Sequence, residues 1–445
     1  MDTVTAPATS GLDLAALAAA NLTPVLGRYF ERSWARGEGH HLFDTSGKAY
    51  LDFANGIAVS VLGHGHPAVT AAIHAQVDAL IAPCAAMGYA ESTVRHARLL
   101  AEFLPEPLDS IFFMNSGSEA IEAALKLARR VTGRPGIIAF RGGFHGRTIG
   151  AASITSSNIN YRRGYEPLLP GVYLSPFPSV YREFAGDEER AVEVSLKHLR
   201  DLLATTIPPS AVAAMILEPV QGEGGYIPAP PAFLQALRAI CDDHGILLIA
   251  DEVQAGFGRT GRMWSFEHAG IVPDVVCMAK AIANGLPLSA IATSKALQVR
   301  WGKSAHGTTF GGNPVSCAAG IAVLETIRAE RLVENSAARG AELMAGLRAI
   351  AADDARVGDV RGLGLMIGVE FVRDPVTREP DGSLCEAVVQ GCADAGLLLI
   401  SCGVEHNVIR WIPPLNVTPD EIDEALGVFG RVLRALPAHP ETGRI

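Results

Sequence analysis

Between residues 68 and 320 the chain alternates helical stretches with short segments that are apolar along their length: Ile111–Met114, Gly136–Phe140, Val212–Leu217, Ile246–Ala250 and Val275–Met278. A strand with no polar face has no side to turn to water. Both faces must be covered, and the intervening helices supply the cover together with the crossovers that make neighbouring strands parallel. That one pattern predicts a helix-covered, mainly parallel α/β sheet. Before it, the turn Asp44-Thr45-Ser46-Gly47 separates Leu42-Phe43 from Tyr50–Phe53 and reads as a hairpin. After it come an amphipathic helix (Leu332–Ala351) and strand-like runs at Leu365–Phe371, Leu397–Ile400 and Val408–Trp411. A last helix carries Ile422, Leu426, Phe429 and Leu433 on one face. The first 20 or so residues read as an arm or short helix. The division predicted is 1–67 (N-terminal segment and part of a small domain), 68–325 (large domain) and 326–445 (remainder of the small domain).

Composition excludes several classes. With 37 basic against 47 acidic side chains the net charge is −10, the wrong sign for a nucleic-acid binder. No run approaches the roughly 20 apolar residues that span a bilayer. The Ala-rich stretch from Leu12 to Leu22 contains Asp13 and has no basic residue before it, which argues against a targeting segment. The seven cysteines form neither a disulfide framework nor a CxxC knuckle. A cytoplasmic enzyme is the expectation.

In a sheet of this kind ligands bind beyond the carboxyl ends of the strands. Asn115-Ser116-Gly117-Ser118-Glu119 follows one strand and opens a helix. It reads either as a phosphate cradle at a helix N-terminus or as a plain serine cap. Phe144 and His145 lie between glycines after the next strand, so an aromatic ring can approach a flat ligand or simply join the core. Asp251 and Glu252 at a third strand end suit a metal or a protonated ring nitrogen. Lys280 follows a fourth strand among small residues. A lysine there is either a costly buried charge or a reactive amine with a depressed pKa. Together, a cradle, an aromatic lid, an acid and an amine suit a planar phosphorylated aldehyde, pyridoxal phosphate.

At this point the sequence resembles the class III aminotransferases of the fold type I family. The matching runs are NSGSEA (115–120), FHGRT (144–148), EPVQGEGG (218–225), DEVQAGFGRTG (251–261), the AK step at 279–280 and TTFGGNP (308–314), within a likeness running from GEG at 37–39 to IRW at 409–411. The resemblance implies a large domain with a mainly parallel seven-stranded sheet and a small α/β domain built from both chain ends. It implies that Lys280 is joined covalently to the cofactor and then moves the proton, while Asp251 pairs with the ring nitrogen. Phe144 and Val253 would cover the two ring faces, Gln254 the phenolic oxygen, and Gly117 and Ser118 the phosphate. Thr309 would reach the phosphate of a partner subunit, so a homodimer with shared active sites is implied, with a tetramer as a further assembly.

For the substrates, the resemblance gives Arg410 an α-carboxylate, Arg147 a distal carboxylate, and Glu223 the task of neutralising Arg410 when an ω-amine is bound. Thr308 would touch substrate across the interface. The function implied is an ω-aminotransferase passing the amino group of a 4-aminobutyrate-like amine or amino acid to 2-oxoglutarate by a ping-pong mechanism. Acetylornithine or ornithine transamination, a broad amine or diamine transaminase using pyruvate, and an intramolecular aminomutase are the alternatives. The segment Ile81–Tyr89 is small and apolar where relatives carry more polar or aromatic groups, which speaks against strict acetylornithine specificity. Gly362-Leu363-Gly364 precedes a strand, and the glycine period fails at Ile367, so a dinucleotide loop is not expected. His40, His41, His64 and His66 read as turn residues, with no acidic or thiolate cluster to make a metal site.

Overall fold

The computed structural model describes residues 13–437. Residues 1–12 of the expected arm lie outside that range, and its remainder forms a helix, Leu14–Asn21, capped by Asp13 with no buried side chain. The central sheet has seven strands. In spatial order they are Ser110–Met114, Ser289–Thr293, Val275–Met278, Leu247–Asp251, Val212–Leu217, Gly136–Phe140 and Val172–Ser175. All run parallel except Ser289–Thr293, which is antiparallel to both its neighbours. The five segments that are apolar in sequence are all strands here. The sheet is covered on both faces, with the helix Gly117–Thr132 on one side and the helices Glu188–Thr205 and Pro231–His244 on the other.

The hairpin expected near residue 47 forms from His41–Asp44 and Ala49–Asp52. Its second strand pairs in parallel with Leu397–Leu398, so the two ends of the chain share one four-stranded sheet. The run expected as a single strand at Leu397–Ile400 is two. After Leu398 the backbone leaves that sheet, and Ile400–Cys402 pairs antiparallel with Val408–Trp411 in another. A continuous apolar run cannot reveal such a transfer, because both sheets bury it. Gly362 and Leu363 end the strand Val357–Leu363, and Gly364-Leu365 is the tight turn into its antiparallel neighbour Met366–Asp374.

Candidate active site

The end of Ser110–Met114 runs directly into the helix Gly117–Thr132. Ser116 caps it, accepting from the Glu119 N–H at 3.3 Å. The Glu119 carboxylate turns back to take the Asn115 N–H and side-chain amide at 2.7 and 2.9 Å. These bonds leave the Gly117 and Ser118 N–H groups at the open positive end of the helix. A Cβ on Gly117 would sit 3.1 Å from Val253 and 3.7 Å from Ala279, so the helix start, the Asp251 loop and the Lys280 loop converge. The FHGRT turn closes over the same spot. The Ser118 hydroxyl accepts from the Arg147 N–H at 3.1 Å, and a Cβ on Gly146 would lie 2.2 Å from that hydroxyl.

Asp251 is the last residue of its strand and is buried. Its carboxylate lies 2.8 Å from His145 Nδ1, with the histidine wholly enclosed. Burial works against the imidazolium, but the hydrogen bond and charge of Asp251, with Glu218 behind them, raise the His145 pKa. Glu218 is buried as well, which pushes its pKa up against the pull of His145. Its two oxygens accept from Phe144 N–H at 2.8 Å and Gly222 N–H at 2.9 Å, clipping two site loops together. Glu252 plays no part in this cluster. It points to the other side of the strand and accepts from Ser265 N–H, Ser265 Oγ and Phe266 N–H, a structural task. Among the described residues no group of three or more acidic, histidine or cysteine side chains could hold a metal.

Lys280 has a φ of 49°, in the left-handed region that non-glycine residues adopt only under tertiary constraint. Burial lowers the pKa of its amine, against the opposing charges of Glu223, Asp251 and Glu218.

Glu223 closes directly onto Arg410 Nη1, and Arg410 is fully buried. The Ser401 carbonyl accepts from Arg410 Nε at 3.1 Å and Nη2 at 2.8 Å, and the Tyr29 hydroxyl lies 2.9 Å from Nη2. Despite burial, the Glu223 charge holds the Arg410 pKa above its already high value. Arg147 makes no ion pair among the described residues. Its guanidinium lies 4.5 Å from the Tyr161 ring centroid and 6.0 Å from that of Phe144. Burial raises the Tyr161 pKa, the Glu223 charge adds to it, and Arg147 and Arg410 oppose it. Gln254 is buried with its Oε1 2.7 Å from the Tyr226 hydroxyl. Thr308 bonds within its own chain, to Gly311 N–H at 2.9 Å and Asn115 Nδ2 at 3.4 Å. Thr309 is exposed, next to Phe310. A groove of about 1230 Å³ lined by Arg141, Gln221 and Arg361 lies apart from Lys280 and Asp251.

A family profile described as aminotransferase class III matches residues 27–433. The chain belongs to the class III aminotransferases. It is 38% identical over 395 residues to the 5-aminovalerate aminotransferase DavT of Pseudomonas aeruginosa, covering 88% of this chain and 91% of that one. It is 41% identical to an acetylornithine aminotransferase of Methanopyrus kandleri, covering 90% and 93%. The solved structure of the omega transaminase from Pseudomonas jessenii in complex with PMP superimposes with a TM-score of 0.88 at 29% identity, covering 95% of this chain and 98% of that one. The aminotransferase is thus a fold type I enzyme that uses pyridoxal phosphate, an amino donor and an oxo-acid acceptor. The residues present fit the cofactor: a helix start with open N–H groups, an acid at a strand end, and an amine of lowered pKa on a loop that converges with both.

Sequence reading expected Lys280, Asp251, Gly117, Ser118, Phe144, Val253, Gln254, Arg147, Glu223 and Arg410 in one cleft; the fold sets Gly117 against Val253 and the Lys280 loop, Ser118 and Phe144 against Arg147, Gln254 against Gly222, and Glu223 against Arg410. It missed Tyr29, Tyr161, Glu218 and Tyr226. His145 and Glu218 stand inside matching motifs, which was the signal available for them. Tyr29 had none. His64 bonds to Asp52 at 2.9 Å, and His40 to Glu421 at 2.7 Å and Asn416 at 2.9 Å.

Proposed function

We propose that this aminotransferase moves the amino group of an ω-amino acid or amine, 4-aminobutyrate-like in chain length, to 2-oxoglutarate in a ping-pong cycle. The observation that carries the reading is the ion pair between Glu223 and the fully buried Arg410, with the Glu223 charge acting on the Lys280 amine. An arginine closed by its own carboxylate suits a substrate that lacks an α-carboxylate. Swung away, Glu223 leaves a guanidinium fork for one that has it. Arg147, across Tyr161, takes the distal carboxylate. The likeness to a 5-aminovalerate aminotransferase, an enzyme named for an ω-amino acid, supports the same reading.

Pyridoxal phosphate, when bound, supplies an electron sink for the carbanion left when the amine-bearing carbon loses its proton. Lys280 would anchor it and then carry that proton, and a positioned acid–base group contributes about 10²–10⁴-fold. Asp251, held by His145, would keep the ring nitrogen protonated. Phe144 and Val253 would flank the ring, Gln254 would meet its phenolic oxygen, and Gly117 and Ser118 would receive the phosphate at the helix start.

Thr309 and Phe310 stand exposed, as do Leu80, Ile81, Met87 and Tyr89. Such a patch fits a homodimer in which Thr309 reaches the partner's phosphate and Thr308 lines the partner's substrate space. The same proposal divides the chain at 67/68 and 325/326 and places it in the cytoplasm. The seven cysteines, all free, and the lack of any membrane-length apolar helix among the described residues support that placement.

Replacing Arg410 with Ala tests the switch. The KM for 2-oxoglutarate should rise about 10- to 100-fold, while that for the ω-amine stays nearly unchanged. Equal losses on both sides would overturn the reading.

A further inference from the structure

Gln254 meets the loop Gly222–Tyr226 on two sides. A Cβ on Gly222 would stand 2.3 Å from Gln254 Nε2, so the amide lies against bare backbone that only glycine provides. Next to it is the Tyr226 hydroxyl, 2.7 Å from Gln254 Oε1. Tyr226 is fully buried, and burial keeps its phenol protonated by raising its pKa well above the ordinary value. Among the described residues that hydroxyl has no other hydrogen-bond partner. A buried O–H needs an acceptor, and the only one offered is the Gln254 carbonyl. The amide is therefore turned with its N–H₂ end away from Tyr226.

The tyrosine itself is held in place by force. Its φ is 54°, a left-handed conformation that an aromatic residue keeps only when its surroundings impose it. The Gly225 carbonyl just before it accepts from Arg361 Nε at 3.0 Å and Nη2 at 2.6 Å. Arg361 is anchored in turn to Glu370 at 2.6 Å and Asp359 at 2.9 Å. On the other side of the loop, the Glu223 carbonyl accepts from Gly403 N–H at 2.9 Å. The loop is pinned along its length, so the phenol is set at a fixed place above Gln254.

We infer that Tyr226 is a positioning residue for the cofactor, orienting the Gln254 amide so that its N–H, not its carbonyl, faces the phenolic oxygen. The inference rests on the proposed contact of Gln254 with that oxygen. A donor there draws charge from the phenolate and loosens its hold on the proton it shares with the nitrogen joined to Lys280. A carbonyl in the same place would repel the phenolate. Without Tyr226 the amide is free to flip, the donor is lost for part of the time, and the proton is held more tightly.

The test is a pH titration of the visible absorbance of the lysine-bound cofactor in the holoenzyme. Tyr226→Phe should raise the midpoint by about half a unit to one unit. Gln254→Ala should raise it at least as far, and the double variant should match Gln254→Ala alone. Gly222→Ala disturbs the amide from the opposite side and leaves the tyrosine intact, so it should raise the midpoint as well, even if Tyr226→Phe folds poorly. A shift in Gln254→Ala with none in Tyr226→Phe or Gly222→Ala overturns the role of Tyr226, as does full additivity in the double variant. An unmoved midpoint in Gln254→Ala removes the contact of Gln254 with the phenolic oxygen, and the inference with it.

Discussion

Lys280 carries two burdens, a left-handed backbone and an amine whose pKa burial lowers. Neither is useful to a core, and both suit a nucleophile that must be neutral when the cofactor arrives. Lys280→Ala should remove the visible absorbance of the bound cofactor and lower turnover by about 10²-fold or more; an absorbance scan and a glutamate assay check both. Glu223→Gln should act more selectively. With no charge to neutralise Arg410, the KM for the ω-amine should rise about 3- to 10-fold while that for 2-oxoglutarate does not, as steady-state kinetics on the two half-reactions would record. Legibility at this scale followed strand geometry. Lys280 and Asp251 could be read because each stands where an apolar strand ends. The separate fates of Asp251 and Glu252 come from neighbouring side chains pointing to opposite faces, so only one of two adjacent acids can enter the cleft. His145 and Glu218 were opaque as partners of Asp251 and Phe144, since 106 and 74 positions separate them. Only tertiary packing supplies those pairings.

Among the elements, the junction between the helix Gly117–Thr132 and the FHGRT turn is tight. Gly146 has a φ of 127°, and any Cβ there would enter the Ser118 hydroxyl. Gly146→Ala should cost about 1–3 kcal/mol of stability and weaken cofactor retention, measurable by urea unfolding and by dialysis of the bound chromophore. The apolar strands and the helix were legible here because their periodicity is strong over several turns. Two strands of the sheet were not. Val172–Ser175 is short and half-buried, and Ser289–Thr293 mixes alanine with terminal hydroxyls, so neither stands out as a continuous apolar run. The transfer of the chain between sheets after Leu398 was hidden for a different reason. Burial on both sides of that step gives one hydrophobic pattern for two pairings.

Over the whole molecule, two measurements bear on how the parts are held. Tyr89 is 97% exposed, Met87 85% and Phe310 66%, a patch beside the exposed Thr309. Sedimentation should give twice the 46.8 kDa chain mass, and Phe310→Asp should lower that mass together with phosphate-dependent cofactor retention. The second concerns acid. Glu421, near the start of the last helix, is partly buried, which raises its pKa, but hydrogen bonds from His40 and Thr418 outweigh this and lower it from 4.5 to about 2. A carboxyl depressed in the fold contributes stability above its unfolded pKa and loses it as the pH falls toward the folded value. The melting temperature should therefore drop between about pH 4.5 and 2, and His40→Phe should flatten that limb. The change of pattern on either side of the central sheet pointed to a smaller unit made from both chain ends, but no local pattern announces which of the first strands pairs with the last hundred residues.

The parallel pairing of Leu51-Asp52 with Leu397-Leu398 also bears on synthesis. A ribosome releases Tyr50, Leu51 and Phe53 early, yet the segment that shelters them emerges about 350 residues later; Lys48 and Asp394, which meet across this seam, are 346 positions apart. For most of translation the opening hairpin must wait with an unpaired edge. Any truncation upstream of Gly396 would leave it so for good, exposed to capture by chaperones or by its own kind.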